Sequence, residues 1–180
     1  MRLDLAFVLA AYGTSLTSAA LSYTIVRAAN PTADQQDAYQ RMDNAMRLAT
    51  QRYNRLTKRA NKQIRVEYNT GVQTADASWN GNIRFGSNRS YMNERTALHE
   101  ISHTLGVGQR RAFDDKCKSG AWPTALPLLR GWDGQSAKIS CGGSHFWPYG
   151  LNYDNEFSQT NADRHCLMVD AMLADGMDSY

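Results

Sequence analysis

Long apolar runs are missing from this chain. The longest, from Leu5 to about Tyr12, falls well short of the ~20 residues that a membrane-spanning helix needs, so stable membrane insertion is not expected. A charge excess is missing too: 20 Lys and Arg stand against 17 Asp and Glu. The basic residues from Arg41 to Arg59 are spread along one helical pattern with polar neighbours, which reads as a solvated face and argues against a nucleic-acid partner. Internal repeats and low-complexity tracts are absent. The 180 residues amount to one domain, long enough to bury roughly two thirds of the unfolded surface, and a monomer is expected.

Cysteine is scarce, with three residues. Cys117 and Cys141 lie in glycine-rich loop sequence whereas Cys166 falls in a helical pattern, so Cys117–Cys141 is the favoured bridge, with Cys141–Cys166 or three free thiols as alternatives. Such a bridge suits an exported protein. So does the N-terminus, where Arg2, the apolar run and the small residues ending in Ser18-Ala19-Ala20 have the layout of a short signal peptide over residues 1–20. Residues 21–180 are then the working domain, expected outside the cytoplasm, secreted or periplasmic.

Histidine is scarce as well, and two of the four stand in His99-Glu100-Ile101-Ser102-His103. On a helix, residues four apart lie one above the other, so His99 and His103 can reach one metal ion while Glu100 sits beside it. Leu98, Ile101 and Leu105 give the same segment a buried face, Asn93 is a plausible N-cap and Gly106 a plausible stop.

Around this helix the pattern is strand, long helix, strand, short strand. Leu21 to Arg27 alternates as a strand. Thr32 with Gln35 forms a capping box ahead of an amphipathic helix through Leu56. Gln63 to Tyr68 and Asn82 to Gly86 read as strands, with a loop or irregular strand between them. From Val107 to about Ser158 periodicity is lost and a long loop region is expected. A last helix starts at Thr160 as N-cap and stops at Gly176. The fold class expected is α+β, a small mixed sheet with a long helix, an active-site helix and a C-terminal helix.

A catalytic zinc site usually has three protein ligands. The zincins called metzincins continue the motif as HExxHxxGxxH or HExxHxxGxxD, but here Gln109 holds the last position, and an amide oxygen is a poor zinc ligand. His145, in the block Cys141 to Gly150, is the preferred third ligand. Glu156 is the fallback, because a second group of zincins uses a downstream Glu. His165, beside Arg164, reads as a surface or capping residue.

The metal helix, Trp122-Pro123-Thr124, Pro127-Leu128-Leu129-Arg130, the block from His145 to Tyr153, Asn161 to His165 and Ala171 to Met177 together resemble secreted bacterial zinc-peptidase-like domains often joined to ricin-type lectin modules. That resemblance implies a zincin-like fold, Zn2+ as cofactor and an extracytoplasmic location. The 180 residues contain no lectin module, so sugar-directed delivery is not implied. The expected function is a zinc-dependent endopeptidase acting on protein or peptide substrates, with Glu100 as general base. Tyr149 or Tyr153 is the candidate oxyanion donor, and Ile83, Arg84 and Phe85 form the strand expected to pair with substrate. The alternative is an exported zinc-containing binding or adhesion module without turnover, using the aromatic block for a glycan or protein partner.

Overall fold

The computed structural model describes residues 20–179; the expected signal segment, through residue 19, lies outside them. Strand β1 (Leu21–Ile25) leads into helix α1 (Ala33–Leu56) and back to a parallel strand β2 (Lys62–Tyr68). The capping box forms: Thr32 Oγ1 accepts from Gln35 N at 3.3 Å and Gln35 Oε1 accepts from Thr32 N at 2.9 Å. Along α1 the residues Ala38, Met42, Ala45, Met46, Ala49 and Tyr53 are all buried. They recur at helical spacing and so cover one face of the sheet.

Strand β4 (Asn82–Phe85) runs parallel to β2, and β3 (Ala75–Ala77) pairs antiparallel with β4, giving the order β1-β2-β4-β3. Ile64, Val66, Ile83 and Phe85 point into the core, while Arg65 and Arg84 alternate outward. The period of two explains both faces. The topology corrects one expectation. Ile83, Arg84 and Phe85 are an interior strand with neighbours on both sides, and the outer strand beside them is Ala75–Ala77, β1 being outermost on the other side among the described residues. Three residues of low β propensity between polar neighbours carry no strand signal of their own; pairing with β4 makes them a strand.

Helix α2 (Glu94–Thr104) crosses against α1 and β3. The region expected to be irregular holds two short helices, α3 (Arg111–Ser119) and α4 (Ala125–Asp133), then a hairpin of β5 (Ser140–Gly142) and β6 (His145–Trp147). Nine residues are too few to display a helical period clearly, and Pro127 reads as a breaker although it stands in the first turn of α4, where its missing N–H costs nothing. Helix α5 (Gln159–Ala174) closes the chain; its N-cap is Ser158, whose Oγ accepts from Asn161 N at 3.0 Å, rather than Thr160. The architecture is α+β. No described helix is long and apolar enough to cross a membrane.

Candidate metal centre

Helix α2 is built to hold two imidazoles still. Asn93 Oδ1 caps it by accepting from Thr96 N at 2.9 Å, and Leu98 and Ile101 anchor its inner face without exposure. At the other end Gly106 N donates to His103 O and Val107 N to Ser102 O, both at 3.1 Å, the paired bonds of a Schellman turn. Gly106 makes that turn with φ 127°, which a side chain would strain. The reversal has a chemical result: it carries the Val107 carbonyl to 2.8 Å from His103 Nδ1. A second carbonyl, Gly150 O, stands 2.8 Å from His99 Nδ1.

A carbonyl only accepts, so both Nδ1 atoms carry the proton and both Nε2 atoms present a bare lone pair. Those two Nε2 atoms face each other at 3.2 Å. Two lone pairs at that distance repel unless a cation lies between them. A proton is a poor candidate, because burial, reinforced at His99 by the charge of His103, holds both imidazoles below their ordinary pKa. A tetrahedral zinc with Zn–N distances of ~2.05 Å would set its two nitrogens about 3.3 Å apart. The donor set therefore fits the ion.

His145 reaches the same place from the far half of the chain. It opens β6, opposite Gly142, across a two-residue turn in which Gly143 and Ser144 both have positive φ, 54° and 69°. Its ring stacks on His99 with centroids 5.0 Å apart and meets His103 at 5.4 Å, and nitrogens of the three histidines all lie within 4.8 Å of one another. Three constraints hold the hairpin there. A Cys117–Cys141 disulfide ties β5 to α3. Gly108 lies so close beneath the turn that a Cβ on it would be 2.1 Å from Ser144 O. Glu156 accepts from Trp147 Nε1 at 3.1 Å and from Asn152 N at 2.7 Å, fixing the strand's exit.

Glu100 completes the group. It is 5% exposed, and burial together with the charge of Asp76 pushes its carboxyl up to about 8, Arg95 opposing. His99, Glu100, His103 and His145 border one cleft of about 390 Å³, walled on the opposite side by Ala75, Asp76 and Ala77 of β3.

Several expected residues lie elsewhere. Glu156, occupied with Trp147 and Asn152, braces the third histidine's strand and is not one of the gathered nitrogens and oxygens. Tyr149 gives its hydroxyl to Asp133 at 2.7 Å and also meets Arg164, so it clamps α4 to α5 outside the cleft. Tyr153 is 63% exposed and does not border the cleft either. His165 is no surface residue: fully buried, it donates from Nδ1 to Tyr149 O at 2.7 Å and accepts at Nε2 from the Tyr53 hydroxyl at 3.0 Å, with Leu98 O alongside. Burial drives it down to about 4, so it is neutral and links α5, α1 and α2.

The carbonyls of Val107 and Gly150 and the close approach at Gly108 went unread in the sequence. The only available hint was a second glycine two residues past Gly106. Searches against known protein families, curated proteins and solved structures found no match to this chain.

Proposed function

We propose that this chain is a zinc-dependent endopeptidase of zincin type, acting on protein or peptide substrates outside the cytoplasm. One observation carries the reading: two unprotonated imidazole nitrogens face each other at 3.2 Å, with a third histidine and a buried carboxyl beside them in one cleft. Zinc held by His99, His103 and His145 would supply a water of lowered pKa and polarise a scissile carbonyl.

The chain's own residues do the rest. Glu100 would take a proton from the attacking water at a carboxylate oxygen and hand it to the leaving nitrogen; burial raises its pKa to about 8, and the positive charge of a zinc beside it would draw that value back down. Gly86 N donates to Thr74 O and Ser78 N to Asn82 O, so Thr74 and Ser78 turn their backbone groups toward β4. By antiparallel alternation Ala75 and Ala77 turn theirs outward, and an extended peptide can pair with them along the cleft.

Of the aromatic block only Tyr153 is well exposed, and a single exposed ring makes a small platform for a glycan, which weighs against a pure adhesion module. Phe146 is buried, the Trp147 indole is bonded to Glu156 and the Tyr149 hydroxyl to Asp133. The disulfide suits an oxidising compartment. Purified protein is expected to contain stoichiometric zinc and cleave casein. Glu100→Gln should keep the zinc and lose roughly 10²–10⁴-fold in rate; cleavage at the wild-type rate by that variant would sink the mechanism.

A further inference from the structure

With both tyrosines outside the cleft, the fixed positive charge left in it is Arg95. It stands one helical turn before His99 on the same face of α2, and it is 6% exposed. Its terminal nitrogens donate to Leu151 O at 2.9 Å and to Thr96 Oγ1 at 3.1 Å. A guanidinium has five N–H groups, so with two used, three remain.

One carboxylate is near, and it is badly placed. Asp154 Oδ1 lies 2.7 Å from Nε, yet Nε makes no hydrogen bond, so the oxygen is off the N–H direction. The Asp154 side chain is 76% exposed and free to leave. Asp154 lies outside the cleft; of the acids that line it, Glu100 is the proposed general base and Asp76 is already held by Arg84 through two bonds of 2.8 and 2.6 Å. Arg95 is thus a buried cation whose terminal nitrogens are each only partly used, whose Nε makes no hydrogen bond and whose ion-pair partner is displaceable.

We infer that Arg95 binds a carboxylate of the substrate, so that the cleft prefers peptides carrying an acidic side chain or a free C-terminus beside the bond to be cut. The inference rests on the peptidase reading. Arg95 stands one helical turn, about 5.4 Å along the axis, before His99, so the carboxylate it would bind belongs to a residue near the scissile bond. An acidic side chain and a chain terminus present the same two oxygens, and peptides tell them apart.

The test uses the zinc-loaded protein and short peptides differing as Glu against Gln at each position near the cut, each with a free or an amidated C-terminus. Cleavage kinetics are read on wild type, and calorimetric binding on Glu100→Gln. The carboxylate form should be favoured by roughly ten- to hundredfold in KM with little change in kcat. Preference for Glu with either terminus assigns a side chain, and preference for the free terminus alone assigns the C-terminus. Arg95→Gln should erase the preference and Arg95→Lys restore part of it. Because Arg95 also anchors Leu151, Asp154→Asn provides a second arm: removing the competing acid should increase the Glu-to-Gln discrimination severalfold. Equal treatment of all peptides in kinetics and binding overturns the inference. Carboxylate-selective binding without any cleavage would overturn the peptidase reading and leave the Arg95 site standing.

Discussion

The two halves of the candidate metal site are made in different ways. His99, Glu100 and His103 come from one helix whose interior is anchored by Leu98 and Ile101 and whose ends are closed by Asn93 and Gly106. Helical geometry itself sets their spacing. His145 comes from a three-residue strand with little core of its own, held by a disulfide, a glycine contact and one carboxylate. The first half is fixed by local structure, the second by crosslinks. Damage to the second half should therefore cost metal before it costs the fold.

The contrast is broken most completely by removing ligands. His103→Ala should abolish stoichiometric zinc after dialysis, and His145→Ala should do likewise while leaving helical circular dichroism unchanged. Full zinc retention in His145→Ala would remove that residue from the site. Gly108→Ala comes next. The residue has φ 62°, and its Cβ would strike Ser144 O, so the hairpin must lift. Zinc affinity should fall on the order of a hundredfold by competition with a chelator, at a stability cost of about 1–3 kcal/mol in denaturant melts.

Opening the disulfide by Cys117→Ser with Cys141→Ser should be milder for the metal, about tenfold. The bridge closes a separation of 24 residues, worth about 3.5 kcal/mol in the chain-entropy model. Midpoints in urea with and without the bridge check that value.

The last intervention, pH, leaves every contact of the hairpin in place and acts on the buried imidazoles. His165 titrates at about 4 in the fold against about 6.5 unfolded, so between those values the unfolded chain binds the extra proton. Its contribution is intact above pH 6.5 and is lost as pH falls toward 4. The metal-free protein should lose about 3 kcal/mol over that window. The lowered imidazoles of His99, His103 and His145 act in the same direction. His165→Gln should flatten the curve, and an unchanged slope would show that its burial contributes nothing.

Legibility in the sequence follows the same division. The strand pattern of β1, β2 and β4, the capping box at Thr32, and the cap and stop of α2 depend on neighbours within a few residues, and each formed where it was read. The three-residue β3, the nine-residue α3 and α4, and the burial of His165 depend on what packs against them. Local pattern gives no account of those. Tyr149 shows the limit well: an aromatic hydroxyl near the third histidine suggests catalysis, and only its pairing with Asp133 and Arg164 shows it spent on holding α4 to α5.

By itself the sequence determined that two imidazoles and a carboxyl share one helix turn, because their offsets match the helical repeat. It also favoured His145, as the histidine in a glycine-rich block that allows close approach, and Cys117 with Cys141, a pair that the structure brings together although Cys117 stands in helix α3 and Cys141 in β5 and neither in a loop. The tertiary structure decided the rest: that the outer strand bordering the cleft is Ala75–Ala77, that Val107 and Gly150 fix the tautomers, and that Arg95 enters the cleft. The reason is physical. Helical periodicity is a property of adjacent residues, whereas an edge, a carbonyl partner or a buried cation exists only once distant segments have been brought into contact.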